Sequence, residues 1–592
     1  EAARSEVLDV RVDNVAVGVV GGIGTAVTRA SNTGVSAVKT ATGGTLAVLR
    51  ATTARITASD ASRMLATSVG SAGGILAGAN GSDAEARNSG RTELLLDRVD
   101  LQGTTLTLAN LSTAEARAKA TGVAVAGGLA VGVSLATARV DSTLTTRLGG
   151  RTEGQIVDIR TELSGVRAGQ TDPSRNAYAE AKSTSGGILS GNGANAKAWL
   201  AYTISTDVTG SLRGTSGTSS RITLGSDANT ATAESFASGK VFGGVAIGAT
   251  LSSAGQEAGK VASVRTTFTD ATVTGQNVSL RATNDPTVRT SAESGSGGLV
   301  AGSGAEVDQR INAKTALTFA GTTTLAARNL SIAARQTGRT SSSLDTLSAA
   351  LVGVSGAKAK STLIADTDVT LGGGTVVLAD ALDIAAVTRF ERPQLAANDG
   401  FNVVSGSGGA LDVAAIVSTV TVDANTDVTI AGGARLTQTA AREAGALFRI
   451  GAASDMELKD RLNLDSGGAI AIPIGNSTVN VRTNGVKVTI GGAEVRATGL
   501  LQLYAGAEAD MRSEVDTSTY GLAGAGTANS RALFASDTQI LLNSGTLLES
   551  LGDVEMLAGY TANGAQAIKL RAESRVFNKT AIPIPTVPVA DA

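Results

Sequence analysis

The chain has 592 residues, with 73 Gly but only seven Pro, one Trp, five Tyr and nine Phe, and it contains neither Cys nor His. That excludes a disulfide scaffold, Cys or Cys/His zinc sites, Ser-His-Asp and Cys-His nucleophilic centres and imidazole acid–base chemistry, leaving carboxylates as the main catalytic option. With 50 Lys plus Arg against 52 Asp plus Glu, a net charge of −2 supplies no overall field to draw the chain to nucleic acid or anionic lipid, so no nucleic-acid partner is expected.

Charged residues make up 17% and apolar residues 42% of the chain, the latter mainly Ala, Val, Leu and Ile. A core poor in aromatics must be thin and filled by small and branched side chains, which suits a repeated, narrow architecture. The opening residues, Glu1 to Glu6, lack a basic stretch followed by an apolar one, so the chain reads as a mature or excised segment of something longer. No run of uninterrupted apolar residues approaches the roughly 18 needed for a membrane-spanning helix.

Gly-centred punctuation organises the sequence. Paired glycines stand at Gly21-Gly22, Gly73-Gly74, Gly127-Gly128, Gly186-Gly187, Gly243-Gly244 and Gly297-Gly298. A single Gly353 marks the next interval, and then come Gly408-Gly409, Gly467-Gly468 and the looser Gly521 with Gly524. Successive spacings lie between 52 and 59 residues, a repeat averaging 56. A second Gly turn follows 19 to 24 residues later, at Gly43-Gly44, Gly149-Gly150, Gly372 to Gly374, Gly432-Gly433 and Gly491-Gly492.

Strands with period two keep phase with the glycines, as in Leu106 and Leu108, Val278 to Ala282, Leu330 to Ala334, Leu382 to Ala386, Leu501 to Ala505 and Val554 to Ala558. The segments Ala114 to Ala120 and Ala179 to Ser183 alternate Ala with polar residues and run into Gly pairs, which predicts strands with Ala inward and charge outward. A unit of this size cannot bury its own apolar face, so neighbouring units must stack. The expectation is an all-β parallel β-solenoid (β-helix) of about ten repeats over residues 1–575, with an interior too narrow for aromatics. The offset between the two Gly turns favours two rungs per repeat over one broad rung. Residues 576–592, which hold Pro583, Pro585 and Pro588, are expected to form a Pro-rich linker or cap where the ladder stops.

Few groupings carry chemistry. Asp423, Asn425 and Asp427 have the oxygen spacing of a calcium loop, but Val428 replaces the required Gly and Ala434 the bidentate Glu, so no metal site is assigned. Charge is densest at Asp455, Glu457, Lys459, Asp460, Arg461 and Asp465, and a second irregularity contains Arg389, Phe390, Arg392 and Pro393. Both sit in lengthened repeats and are the candidate interaction loops. The segment Ala168 to Ser174 reads as a turn. No catalytic residue and no cofactor is assigned.

The alternating Ala strands, the Val-x-Leu-x-Ala strands and the motif from Ser296 to Ala305 resemble the repeat regions of giant filamentous-haemagglutinin-type and autotransporter-like surface proteins of Gram-negative bacteria. The resemblance covers nearly the whole chain. It implies an extracellular or cell-surface β-solenoid shaft that is structural or adhesive, is not an enzyme, and whose partners are further copies of itself, in a filament or homo-oligomer, or a host or neighbouring-cell surface. Two alternatives remain open: a β-helical polysaccharide lyase or hydrolase using the carboxylates near 455, and a receptor-binding module using the loops near 390 and 455.

Overall fold

The computed structural model describes residues 2–40, 46–165, 175–215, 219–394, 400–439, 447–560 and 567–592. The segment from Ala168 to Ser174 and the pair Gly43-Gly44 therefore lie outside the described residues. Among the described residues there is no α-helix, and thirty strands join in one sheet in which every pairing is parallel. The chain is thus all-β with a large parallel sheet.

Register follows the repeat. Each strand pairs with its equivalent one repeat away, at offsets from 51 residues (Ala262 with Ala313) to 66 (Leu382 with Phe448). One position can be followed through eleven successive levels, from Gly21 through Ala77, Leu129, Leu189, Val245, Val300, Val352, Leu411, Ile470 and Ala523 to Ile582. One repeat therefore makes one broad level, and the expectation of two rungs is overturned. The two Gly turns of a repeat are two corners of the same level, as Val403–Ile430 shows by pairing with the next level across a single strand that reaches from the first corner to the second.

Each level has a thin arm and a wider body. In the arm the chain runs out, folds back at the first Gly corner and packs against itself, as Arg63–Gly74 does on Ala77–Asn88. In the first levels small side chains lie between the two layers: Ala66, Ser68, Ser82 and Ala84 are buried there, and Ser82 Oγ donates to the Ser68 carbonyl at 2.9 Å. The predicted Ala strands are of this kind, with Ala116, Ala118, Ala120, Ala177, Ala179 and Ala181 fully buried. In later levels the columns of Ser68 and Ser82 hold Leu344, Val403, Ile416, Leu462 and Val515. In the body the interior widens and holds Leu, Ile and Val from every level. It also holds aromatics, contrary to expectation: Phe268, Phe319, Phe390 and Phe448 are fully buried, and Phe268 stacks on Phe319 one level away with centroids 5.0 Å apart.

The glycines occupy the corners with a small phase error. Val17 and Gly18 stand level with Gly73 and Gly74, whereas Gly21-Gly22 pairs with Ala77-Gly78 beyond the turn. Gly127-Gly128 and Gly187 lie between strands, and Gly186 ends one of them. Gly243-Gly244, Gly297-Gly298, Gly408-Gly409 and Gly467-Gly468 sit within continuous strand where the chain bends. Gly353 is not a corner residue; Ala349 and Ala350 hold that place. At Gly468 the demand is steric, because a Cβ would collide with the carbonyl oxygen of Gly409 one level away. At the second corner it is conformational, with Gly433 at φ +87° and Gly492 at φ +68°.

The segment 576–592 joins the ladder. Strand Ile568–Pro583 pairs with the preceding level to its end, and Val589–Asp591 pairs with Asn529 to Arg531.

Gly468→Val is expected to lower unfolding free energy by about 2–3 kcal/mol, whereas Gly356→Ala, whose added Cβ would meet nothing within 4 Å, changes it by less than about 0.5 kcal/mol. Denaturant unfolding of the two variants measures the difference.

Candidate functional site

The residues expected in loops near 390 and 455 are strand residues. Val376–Arg392 pairs with Phe448–Ile490 so that Arg389 stands beside Asp455, Phe390 beside Met456 and Arg392 beside Leu458. Period-two alternation then divides them between two faces. Outward, Arg389 pairs with Glu391 at 2.9 Å and Asp455 at 3.2 Å, and Lys459 pairs with Glu457 at 2.7 Å and Asp510 at 3.7 Å. Burial pushes the Asp455 carboxyl above the usual range, and the hydrogen bond from Lys459 to Glu457 pushes the Lys459 ammonium up. These charges are bonded to one another within a level and between levels.

Inward, Phe390, Arg392 and Asp460 are completely buried, so none of the three is available to a partner. Arg392 donates to Asp460 at 3.0 Å, Ser342 at 2.8 Å, Gln309 at 3.0 Å and Ser361 at 3.2 Å. The second oxygen of Asp460 accepts from Ser477 at 2.7 Å. A fully desolvated ion pair of this kind survives because hydrogen bonds meet both terminal nitrogens of Arg392 and both oxygens of Asp460, leaving Arg392 Nε without a partner, and removing either residue strands the other.

A carboxylate group that sequence reading missed lies on the adjoining outer face. Asp368 stands beside Asp427 of the next level, near Asp366 and 3.9 Å from Lys314. Burial first, then the charge of Asp366, pushes its pKa from 3.8 up to about 6, against the opposing pull of Lys314. The spacing of one repeat between Asp368 and Asp427 was the available signal, but it needed the one-level register to be read. Among the described residues, no group of three acidic side chains converges as a metal site, and no helix is long and apolar enough to cross a membrane.

The other feature missed is apolar. At the tip of the arm, Val20, Leu76, Ile188, Leu299, Leu351 and Leu522 are each more than half exposed. Ile188, Leu299 and Leu522 follow a corner glycine directly and the others lie within two residues of the corner, where they read as the first residues of inward strands. The outer face of the returning arm strand continues this surface with Ile23, Val131, Ile247 and Val354.

Comparison with known proteins gives no assignment: no family model, no curated protein and no solved structure matches the chain.

Arg392→Ala is expected to cost about 3–5 kcal/mol in denaturant unfolding, while Arg389→Ala on the surface costs no more than about 1 kcal/mol. For Asp368, whose folded-state pKa is above its unfolded one, the folded chain keeps a proton between about pH 4 and 6 that the unfolded chain has lost, so stability from this group falls as pH rises through that window. Asp368→Asn is therefore expected to stabilise the protein at pH 7 by about 1–3 kcal/mol and to flatten its stability profile between about pH 4 and 6.

Proposed function

We propose that the chain is a parallel β-solenoid with one broad coil per repeat, and that it serves as a stiff extracellular shaft of a bacterial surface protein, structural or adhesive in role. The observation that carries this reading is the unbroken one-repeat register through eleven levels, from Gly21 to Ile582. A fold of this kind transmits load along its axis through backbone hydrogen bonds and presents long flat faces for contact. The resemblance to haemagglutinin-type repeats supports placement at the cell surface. Ion pairs between levels on the outer faces, such as Lys314 with Asp366 and Lys358 with Glu306, support rigidity.

Ten steps of about 4.8 Å give a rod roughly 50 Å long. Cryo-electron microscopy of the purified chain is expected to show that length, and display of the chain on a non-adherent bacterium is expected to confer clumping or attachment. A length near 100 Å would overturn the coil arrangement. Rods of the right length that confer neither clumping nor attachment would overturn the adhesive role.

A further inference from the structure

The apolar tip and the outer face beside it form one surface without charge. Three parallel columns run along the returning arm strand at the alternating positions that begin with Gly21, Ile23 and Thr25. In the paired levels these columns contain no Asp, Glu, Lys or Arg. The next column brings in Asp83, Glu306 and Lys358, with Lys358 paired to Glu306 at 2.9 Å. That column mixes these charges with the exposed aliphatics Val27, Leu135, Leu251 and Val417, so charge enters at the border of an uncharged surface, as at the edge of an interface.

We propose that this face packs against the same face of a second copy of the chain, forming an isologous side-by-side dimer. Its relief points to that occupant. In the central column Ile23, Ala79, Val131, Gly191, Ile247, Gly302 and Val354 follow one another, large alternating with small over seven levels, before Val413 and Ile472 continue it with large residues only. Ridges thus recur every second level, about 9.6 Å, and the gaps between them have the same period. Two copies displaced by one level would place the ridges of each in the gaps of the other, and the two-fold relation reproduces the fit over the seven levels from Ile23 to Val354. Gly304, Gly356, Ala249 and Ala415 in the third column floor a depression of about 370 Å³ walled by Leu251, Val417 and the Lys358–Glu306 ion pair. Area agrees as well. A face roughly 50 Å long and about 20 Å wide offers about 1,000 Å² per copy, against the roughly 800 Å² per partner of a standard stable interface. A lipid surface is the weaker match, because the rim carries both signs of charge and not the cationic fringe that anionic headgroups select.

The dimer rests on the coil arrangement proposed above and can fail without it. Sedimentation equilibrium and light scattering of the whole chain are expected to show a monomer–dimer equilibrium in the micromolar range. Gly302→Glu and Gly193→Glu test the face, since a Cβ at either glycine meets nothing within 4 Å and the fold tolerates it. Each is expected to weaken dimerisation at least about tenfold with unchanged circular dichroism and thermal unfolding, because it sets a carboxylate in the desolvated core of the contact. Ile247→Ser, which trims an exposed ridge, gives the same direction of change if either glutamate variant proves unstable. A wild-type chain that stays monomeric to about 100 μM overturns the proposal. So do variants that dimerise as tightly as wild type, which would assign association to the rod ends. Co-sedimentation of a monomeric chain with phosphatidylcholine vesicles, lost in Gly302→Glu, would also overturn it and give the face to lipid. Rods of about 50 Å that never dimerise leave the shaft reading standing.

Discussion

Everything in this molecule answers to a single constraint: each strand hydrogen-bonds in parallel to its own equivalent one repeat away. At a separation of about 4.8 Å every side chain lies directly over the residue in the same place on the next level, so each column must be compatible with itself. Apolar interior columns meet this readily, since Leu, Ile and Val stack on one another through the body. Polar columns meet it by linking. Thr146, Thr161, Thr206, Ser226 and Thr266 form an interior zigzag of hydroxyl hydrogen bonds of 2.7–2.8 Å that crosses three levels. Charged outer columns meet it by alternating sign, as in Lys314 with Asp366 and Arg63 with Glu115. Where sign fails to alternate, as at Asp368 over Asp427, the like charge adds to a pKa that burial and Asp366 already raise.

The same constraint explains how one repeat combines a thin arm with a wide body. Two layers that face each other across Ala, Ser and Gly approach closely, and the hydroxyls between them find carbonyl partners. Where the layers diverge, Leu and Phe fill the interior, and the buried pair of Arg392 and Asp460 is held by hydrogen bonds from several levels. Such a pair adds little net stability compared with apolar packing, but it penalises any register that separates the partners. A slip of a single residue would turn Arg392 outward and leave Asp460 alone inside.

Much of this was legible in the sequence, for identifiable reasons. The repeat showed because glycine recurs at most of the corners, although Ala349 and Ala350 fill one of them, and the strands showed because alternation survives wherever one face is buried. The number of levels per repeat was misread because two Gly corners of one level look, in a linear sequence, like the ends of two rungs. Arg389 to Arg392 and Asp455 to Asp460 read as loops because alternation of charged and apolar residues was judged by charge density; Phe390, Arg392, Met456, Leu458 and Asp460 were in fact the inward set. The aliphatic tip went unseen because Leu299 or Ile188 after a glycine is indistinguishable from the start of a buried strand. Only the fold-back shows that these residues face outward.

The one-repeat register is open to a direct chemical test, because a chain without cysteine allows unambiguous cross-linking. Lys314 and Asp366 are register partners with their charged groups 2.7 Å apart, and Cα atoms of neighbouring strands fall within the roughly 4.4–6.8 Å that a disulfide spans. Lys314→Cys combined with Asp366→Cys is expected to form an intramolecular disulfide on mild oxidation, identified by peptide mass mapping, whereas Lys314→Cys combined with Arg339→Cys, about half a repeat away, is not. Cross-linking of the half-repeat pair in place of the full-repeat pair would contradict the register, and with it the corners, the columns and the outer faces built upon it.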